Sequence, residues 1–368
     1  MRVALTLSCT FAASLVLGQS IRVGKDPSQM VFSQNRRCLA IACGTRTYVY
    51  DMRDGKTFRC PGGQLDDISP DGTKLALVSE LKGRLQIWDV FRHRALRTWQ
   101  KPTANNRYLS PAGVTFTPNG KSVIFNLETG DEQKIIPLVQ LEIATGKMTN
   151  YTTWCRPLAS KLAQTLTNMG IKDAVASNIT YSAVFELPMR INGHGVISDA
   201  LRVLSSRSLL YAVFTLNLEN QQPSKVLTGF GLYYLWNGDN LHLGGGSKFD
   251  SITRWRDGRE QKLMLTPSLP DGKNEEGDPG ISTSHDTPYV LVYGIQHIAT
   301  GERPTKRSLK SQRLVVQLLN AKTGEHRQVF ESKFPWREAY CAISADGKLF
   351  ACRSPYEANR IVIHRIGK

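Results

Sequence analysis

DDISPDGTKLALVSELKGRLQIWDV, residues 66 to 90, is the stretch on which the fold turns. A short strand runs into Pro70-Asp71-Gly72. Proline presets the backbone for a turn there, and glycine supplies the positive φ that the turn requires. Lys74 to Glu80 then carries the apolar run Leu75-Ala76-Leu77-Val78, a second strand. A polar gap follows, and a third strand ends on Ile87-Trp88-Asp89. With ALRTW (95–99) as a fourth strand, the unit is a small antiparallel sheet.

Worn copies of this unit run down the chain in the same strand order. The first is MVFSQNR, CLAIACG, RTYVYDMRDG and KTFRC, from Met30 to Cys60. The third is VTFTPNG, KSVIFNL, PLVQLEIATG and KMTNYTTW, ending at Trp154. The fourth is degenerate, with ITYSAVFEL, GVISDALRV, LLYAVFTLN and SKVLT between Ile179 and Thr228. The fifth, GLYYLWNGD, NLHLGGG, SITRWRDG and QKLML, repeats in Arg256-Asp257-Gly258 the turn Arg53-Asp54-Gly55 of the first. The sixth is GISTSHD, YVLVYGIQH, LVVQLLNAKTG and RQVFE. The seventh has AYCAISADG, KLFACRS and RIVIHRI, and lacks an outer strand.

No such unit buries its apolar faces alone, so neighbouring units must stack. The expected fold class is all-β, a seven-bladed β-propeller; six or eight blades are the alternatives, because the fourth unit is weak. Ile21 to Gly24 is expected to supply the seventh unit's missing strand, since closure removes a row of unpaired backbone groups. On these repeats the chain resembles the WD40/YVTN-type β-propeller families along residues 21 to 368. The match is strongest in the second unit. Trp88-Asp89 is the only Trp-Asp ending among the units, and no Gly-His dipeptide opens one. The resemblance is therefore to irregular bacterial propellers, and it does not imply the hydrogen-bonded tetrad of regular WD40 blades.

The N-terminus reads as an export signal. Arg2 precedes an apolar stretch from Val3 to Leu17, and Gly18 and Ser20 offer small residues where signal peptidase reads. Residues 1–20 are expected to be removed after Ser20 or nearby, leaving one domain, 21–368, in the periplasm or outside the cell. Losing Arg2 would lower the formal charge from +16 to +15. Export permits disulfides. Cys341 and Cys352 flank the turn from Ser344 to Lys348, and a four-residue loop would set them opposite where a three-residue loop would not. Most of the other cysteines sit in apolar strand patterns and read as buried thiols.

Lys and Arg number 47 against 31 Asp and Glu. That excess favours anionic partners. Its spread along the chain argues against nucleic acid, and no segment after the leader is long and apolar enough to span a bilayer. The one dense cluster, TGERPTKRSLKSQR, holds Arg303, Lys306, Arg307, Lys310 and Arg313 against Glu302. It is the candidate binding site, for an acidic protein patch or an anionic glycan or surface, with a solvated loop as the plain alternative. Arg156 to Ser177 places Leu158, Leu162, Leu166 and Met169 at helical spacing, an insertion that reads as a lid or partner-binding helix. The acidic loop with Asp271, Glu275, Glu276 and Asp278 matches no EF-hand spacing, so no metal is expected. His194 and His285 sit in no catalytic motif, and no cofactor loop is present. The expectation is a monomeric, non-catalytic binding or scaffold propeller. The alternative is a propeller hydrolase, such as a sugar lactonase, with its site at the channel mouth.

Overall fold

The computed structural model describes residues 19–24, 27–44, 46–79, 83–100, 110–128, 138–151, 160, 163–164, 167–168, 180–183, 190–191, 196–204, 209–220, 222–229, 233–236, 241–245, 251–256, 259–264, 280–284, 287–297, 312–332, 340–354 and 357–367. They form seven antiparallel sheets that follow one another along the chain. After β1 (Gln19–Arg22), the first sheet is β2 (Gln29–Phe32), β3 (Cys38–Cys43), β4 (Arg46–Asp51) and β5 (Thr57–Pro61). The second is β6 (Gln64–Ile68), β7 (Lys74–Ser79), β8 (Arg84–Asp89) and β9 (Arg94–Gln100). The third is β10 (Ser110–Phe116), β11 (Ser122–Glu128), β12 (Leu138–Glu142) and β13 (Met148–Asn150).

The fourth sheet departs from the simple order. β14 (Thr180–Ala183) and β15 (Arg190–Ile191) both pair with β16 (Val196–Leu204), one at each end, before β17 (Leu209–Asn217) and β18 (Gln222–Gly229). Of ITYSAVFEL, Thr180–Ala183 are described as β14, and β15 lies beyond the end of that stretch. The fifth sheet is β19 (Tyr233–Trp236), β20 (Leu241–Gly245), β21 (Ser251–Arg256) and β22 (Arg259–Met264). The sixth is β23 (Gly280–Thr283), β24 (Tyr289–His297), β25 (Gln312–Asn320) and β26 (His326–Glu331). The seventh combines β27 (Cys341–Ile343), β28 (Leu349–Arg353) and β29 (Arg360–Arg365) with β1 from the other end of the chain.

Because strand side chains alternate between faces, each sheet divides its residues between two neighbours. Cys38, Ala40 and Ala42 pack with Leu65, Ile68, Leu75 and Leu77 of the second sheet. Leu39 and Ile41, one residue along, pack the opposite way against Ala342, Ala351, Ile361 and Ile363 of the seventh. Ile21 and Val23 join that second cluster, 3% and 4% exposed, so the N-terminal strand seals the contact between last and first sheets. The same division places Ala76 and Ile87 against Phe116 and Phe125, and Leu291 and Val316 against Phe350.

Polar groups reinforce these seams. Asp67, 2% exposed, lies at a bulge in β6 and accepts from the Phe116 N–H (2.8 Å), the Thr115 hydroxyl (3.2 Å) and the Ile68 N–H (2.8 Å). Asp66 accepts the Val114 N–H at 3.0 Å. Two adjacent carboxylates of the second sheet are therefore fastened to the inner strand of the third.

In the aromatic layer between the last two sheets, His364 stacks on Phe350 at 4.6 Å and leans on Phe330. Burial pushes its imidazole down from 6.5 to about 4. As pH falls, the unfolded chain takes up this proton first, so stability is full above 6.5 and is lost between 6.5 and 4. The loss is expected to be on the order of 2–3 kcal/mol at pH 4.5. Urea midpoints at pH 7 and 4.5 measure it, and His364→Phe should remove that part of the pH dependence.

Candidate functional site

The two ends of the sheets are built differently. At one end the inner strands of the first, second, third and seventh sheets turn back through a short sequence of the form Ser/Thr-x-Asp/Asn. The Ser33, Ser69, Thr117 and Ser344 hydroxyls donate to the Asn35, Asp71, Asn119 and Asp346 side chains at 2.6–2.8 Å. Those acceptors also receive the backbone N–H two residues on, from Arg37, Thr73, Lys121 and Lys348. Gly72, Gly120 and Gly347 hold the positive φ, and a Cβ on Gly347 would meet the Tyr289 ring of the preceding sheet at 2.6 Å. In the first sheet Arg36 takes that place with φ 61°, and its guanidinium reaches Asp346 of the seventh sheet at 2.5 Å. Burial opposes ionisation of Asp346, but its Ser344, Lys348 and Arg36 partners hold the carboxyl below its usual value.

Arginines carry the same job along the outer part of this end. Arg37 lies 4.3 Å from the Phe91 ring centre and also bonds Asp51 at 3.1 Å. Arg97 donates to the Ile143 and Ala144 carbonyls at 3.1 and 2.6 Å. Buried Arg254 donates to the Ala321 and Lys322 carbonyls at 2.8 and 2.9 Å, and Arg327 to Gly367. Each guanidinium thus reaches the turn or strand exit of the sheet that follows. A share of the positive charge is structural, and sequence spacing gave no sign of it because donor and acceptor belong to different repeats.

The other end carries the long connections. The six longest between consecutive strands, 101–109, 129–137, 151–179, 265–279, 298–311 and 332–340, all leave from it. Within 151–179, residues 160, 163–164 and 167–168 are helical. Ser160, Gln164, Thr167 and Asn168 are exposed, and the Thr167 hydroxyl donates to the Ala163 carbonyl at 2.8 Å. Leu158, Leu162, Leu166 and Met169 lie outside the described residues.

Of the basic cluster, Arg303, Lys306, Arg307 and Lys310 lie outside the described residues, as do the acidic loop, His194 and His285. Arg313 is described. It stands opposite Gln296 where the 298–311 connection rejoins the sheet, and its guanidinium meets Glu331 at 2.6 Å. The Arg313 and Gln328 hydrogen bonds hold the Glu331 carboxyl below its ordinary value. Both partners are well exposed, so the pair contributes little to stability. A second exposed set lies at the same end beside β1, where Arg22 and Arg360 each meet Glu357 at 3.3 Å. Among the described residues no three His, Cys, Asp or Glu side chains gather as a metal site would require. No described helix is long and apolar enough to cross a membrane.

These sheets, their stacking and their order are those of a β-propeller. Solved structures bear out the class. The chain is similar to the Kuenenia stuttgartiensis hydrazine synthase structure over 94% of its length and 97% of that chain (TM-score 0.57, 11% identity). It is similar to the β-propeller domain of Cps50 (Swd1) from Myceliophteria thermophila over 95% and 98% (TM-score 0.56, 12% identity). A chain of the mitotic checkpoint complex matches over 100% of both (TM-score 0.52, 10% identity). At these identities the likeness is one of fold. No family model matches the chain, and no curated protein matches it in sequence.

Proposed function

We propose that the protein is an exported, monomeric, non-catalytic propeller that binds an anionic partner, an acidic protein surface or an acidic glycan, through its long-connection face. The observation that carries this reading is the uneven division of the chain between the two ends. One end is closed by short turns bonded to themselves and to their neighbours, and the other receives all six of the longest connections. Loops on a rigid scaffold are where binding concentrates, since they vary without disturbing the core. Arg303, Lys306, Arg307 and Lys310 supply the charge, with Arg313 at their base. Similarity to a chain from a multiprotein assembly supports a partner-binding role.

Charge reversal tests the assignment. Arg303→Glu, Lys306→Glu and Arg307→Glu together should move elution from a sulfated-polysaccharide column to markedly lower salt. Reversing the exposed Lys121, Lys147 and Lys348 at the short-turn end changes net charge equally and should shift elution much less. Equal shifts would mean that overall charge is being read. In that case the basic connection is no binding site.

A further inference from the structure

Cys341 and Cys352 occupy directly opposed positions on β27 and β28. The hydrogen bonds on either side fix what kind of opposition this is. The Ser344 N–H donates to the Leu349 carbonyl at 3.0 Å, and the Arg353 N–H donates to the Tyr340 carbonyl at 3.3 Å. Bonded pairs alternate along an antiparallel ladder, so Ala342 with Ala351 is the bonded pair between them. Cys341 with Cys352 is then a non-bonded pair, the kind that brings Cα atoms to roughly 4.5 Å and side chains closest together. That separation falls inside the range a disulfide spans. The other described cysteines are differently placed, with Cys38 opposite Asp51, Cys43 opposite Arg46 and Cys60 opposite Thr47.

We propose that Cys341 and Cys352 are joined by a disulfide in the mature protein, stapling the inner strand of the closing sheet to its neighbour. The proposal rests on the export reading, because only an oxidising compartment sustains such a bond. The oxidant is a dithiol–disulfide exchange partner. One cysteine thiolate attacks its disulfide and the second cysteine displaces it, forming one S–S bond. Two protons and two electrons leave the cysteines, and the oxidant departs as two thiols. In the structure both cysteines are free and buried, in an apolar cluster with Tyr293, Ile343 and Phe350. Burial raises both thiols well above their ordinary value, leaving little thiolate to react. The same burial would shield the bond from reductant once it has formed.

The test uses the chain from Gln19 to Lys368, refolded from denaturant in mixed oxidised and reduced glutathione, then denatured with an alkylating agent and mapped by peptide mass. The expected product is a Cys341–Cys352 linked peptide about 2 Da lighter than its two reduced parts together. Cys38, Cys43 and Cys60 should all be alkylated. Cys352→Ala, a small buried substitution, should leave Cys341 alkylated and the fold intact. If both cysteines are alkylated in correctly folded wild type, the staple does not exist. A linked peptide after refolding, with free thiols in protein taken from its cells, would keep the geometry but overturn export and the natural bond with it.

Discussion

A chain that begins at Gly24 is expected to lose most of its stability, on the order of 4–6 kcal/mol, while one that begins at Gln19 keeps it. This truncation deletes Ile21 and Val23 from the cluster joining the last and first sheets, where they are nearly as buried as its centre. It also strips the hydrogen bond from the Val23 N–H to the Asn359 carbonyl (2.8 Å) and leaves β29 as a bare edge. Single domains are stable by only about 5–15 kcal/mol, so a loss of this size removes cooperative unfolding or comes close to it. A chain that begins at Ile21 keeps the Ile21–Ile361 and Arg22–Arg360 pairs but loses Gln19, Ser20 and the Arg360 bond to the Ser20 hydroxyl. It should fall between the two, within about 1 kcal/mol of the longest. The strand starts two residues before the expected processing point, so the denaturation midpoints of the three chains also show how much of β1 the mature protein needs.

The second large effect is expected at Asp67. Asp67→Ala should cost about 3–5 kcal/mol, because it leaves the Phe116 N–H and Thr115 hydroxyl without their acceptor in a site closed to water. Asp67→Asn keeps an acceptor oxygen and the side-chain shape, and should cost about 1–2 kcal/mol. The contrast separates lost hydrogen bonding from lost volume. Equal costs for both would mean that the charge itself, rather than the acceptor, holds the second and third sheets together. Denaturant unfolding of the two variants beside the wild type decides it.

Local chemistry made the fold readable. Turns such as Ser69-Pro70-Asp71-Gly72 and Ser344-Ala345-Asp346-Gly347 announce themselves because the hydroxyl, the carboxylate and the glycine act within a few residues of one another. Unbroken apolar runs in Cys38–Cys43 and Leu75–Val78, each short and bounded by turn residues, mark strands covered on both faces. The absence of a fourth strand after Arg365 pointed to the N-terminus, and β1 lies there. What joins one sheet to the next was not readable. Arg97 and the carbonyl of Ile143 are distant in sequence, and only the stacking of sheets brings them together. The same holds for Arg254 with Ala321 and for Asp67 with Phe116. Nor does periodicity reveal that Arg190–Ile191, beyond ITYSAVFEL, also pairs with β16. Within the candidate site the pairing of Arg313 with Glu331 depends on the register of β25 and β26, which composition does not encode.

The most direct test of the central claim pairs Ser20→Cys with Val362→Cys in a chain that begins at Gln19. These residues face each other across β1 and β29 at a non-bonded position, because Val23 and Asn359 are the bonded pair three residues on. Mild oxidation should give an intramolecular disulfide linking the two ends of the chain in nearly every folded molecule, with an unchanged hydrodynamic radius. Free thiols at both positions after oxidation, or a bond formed only between molecules, would show that the N-terminal strand does not dock on the final sheet.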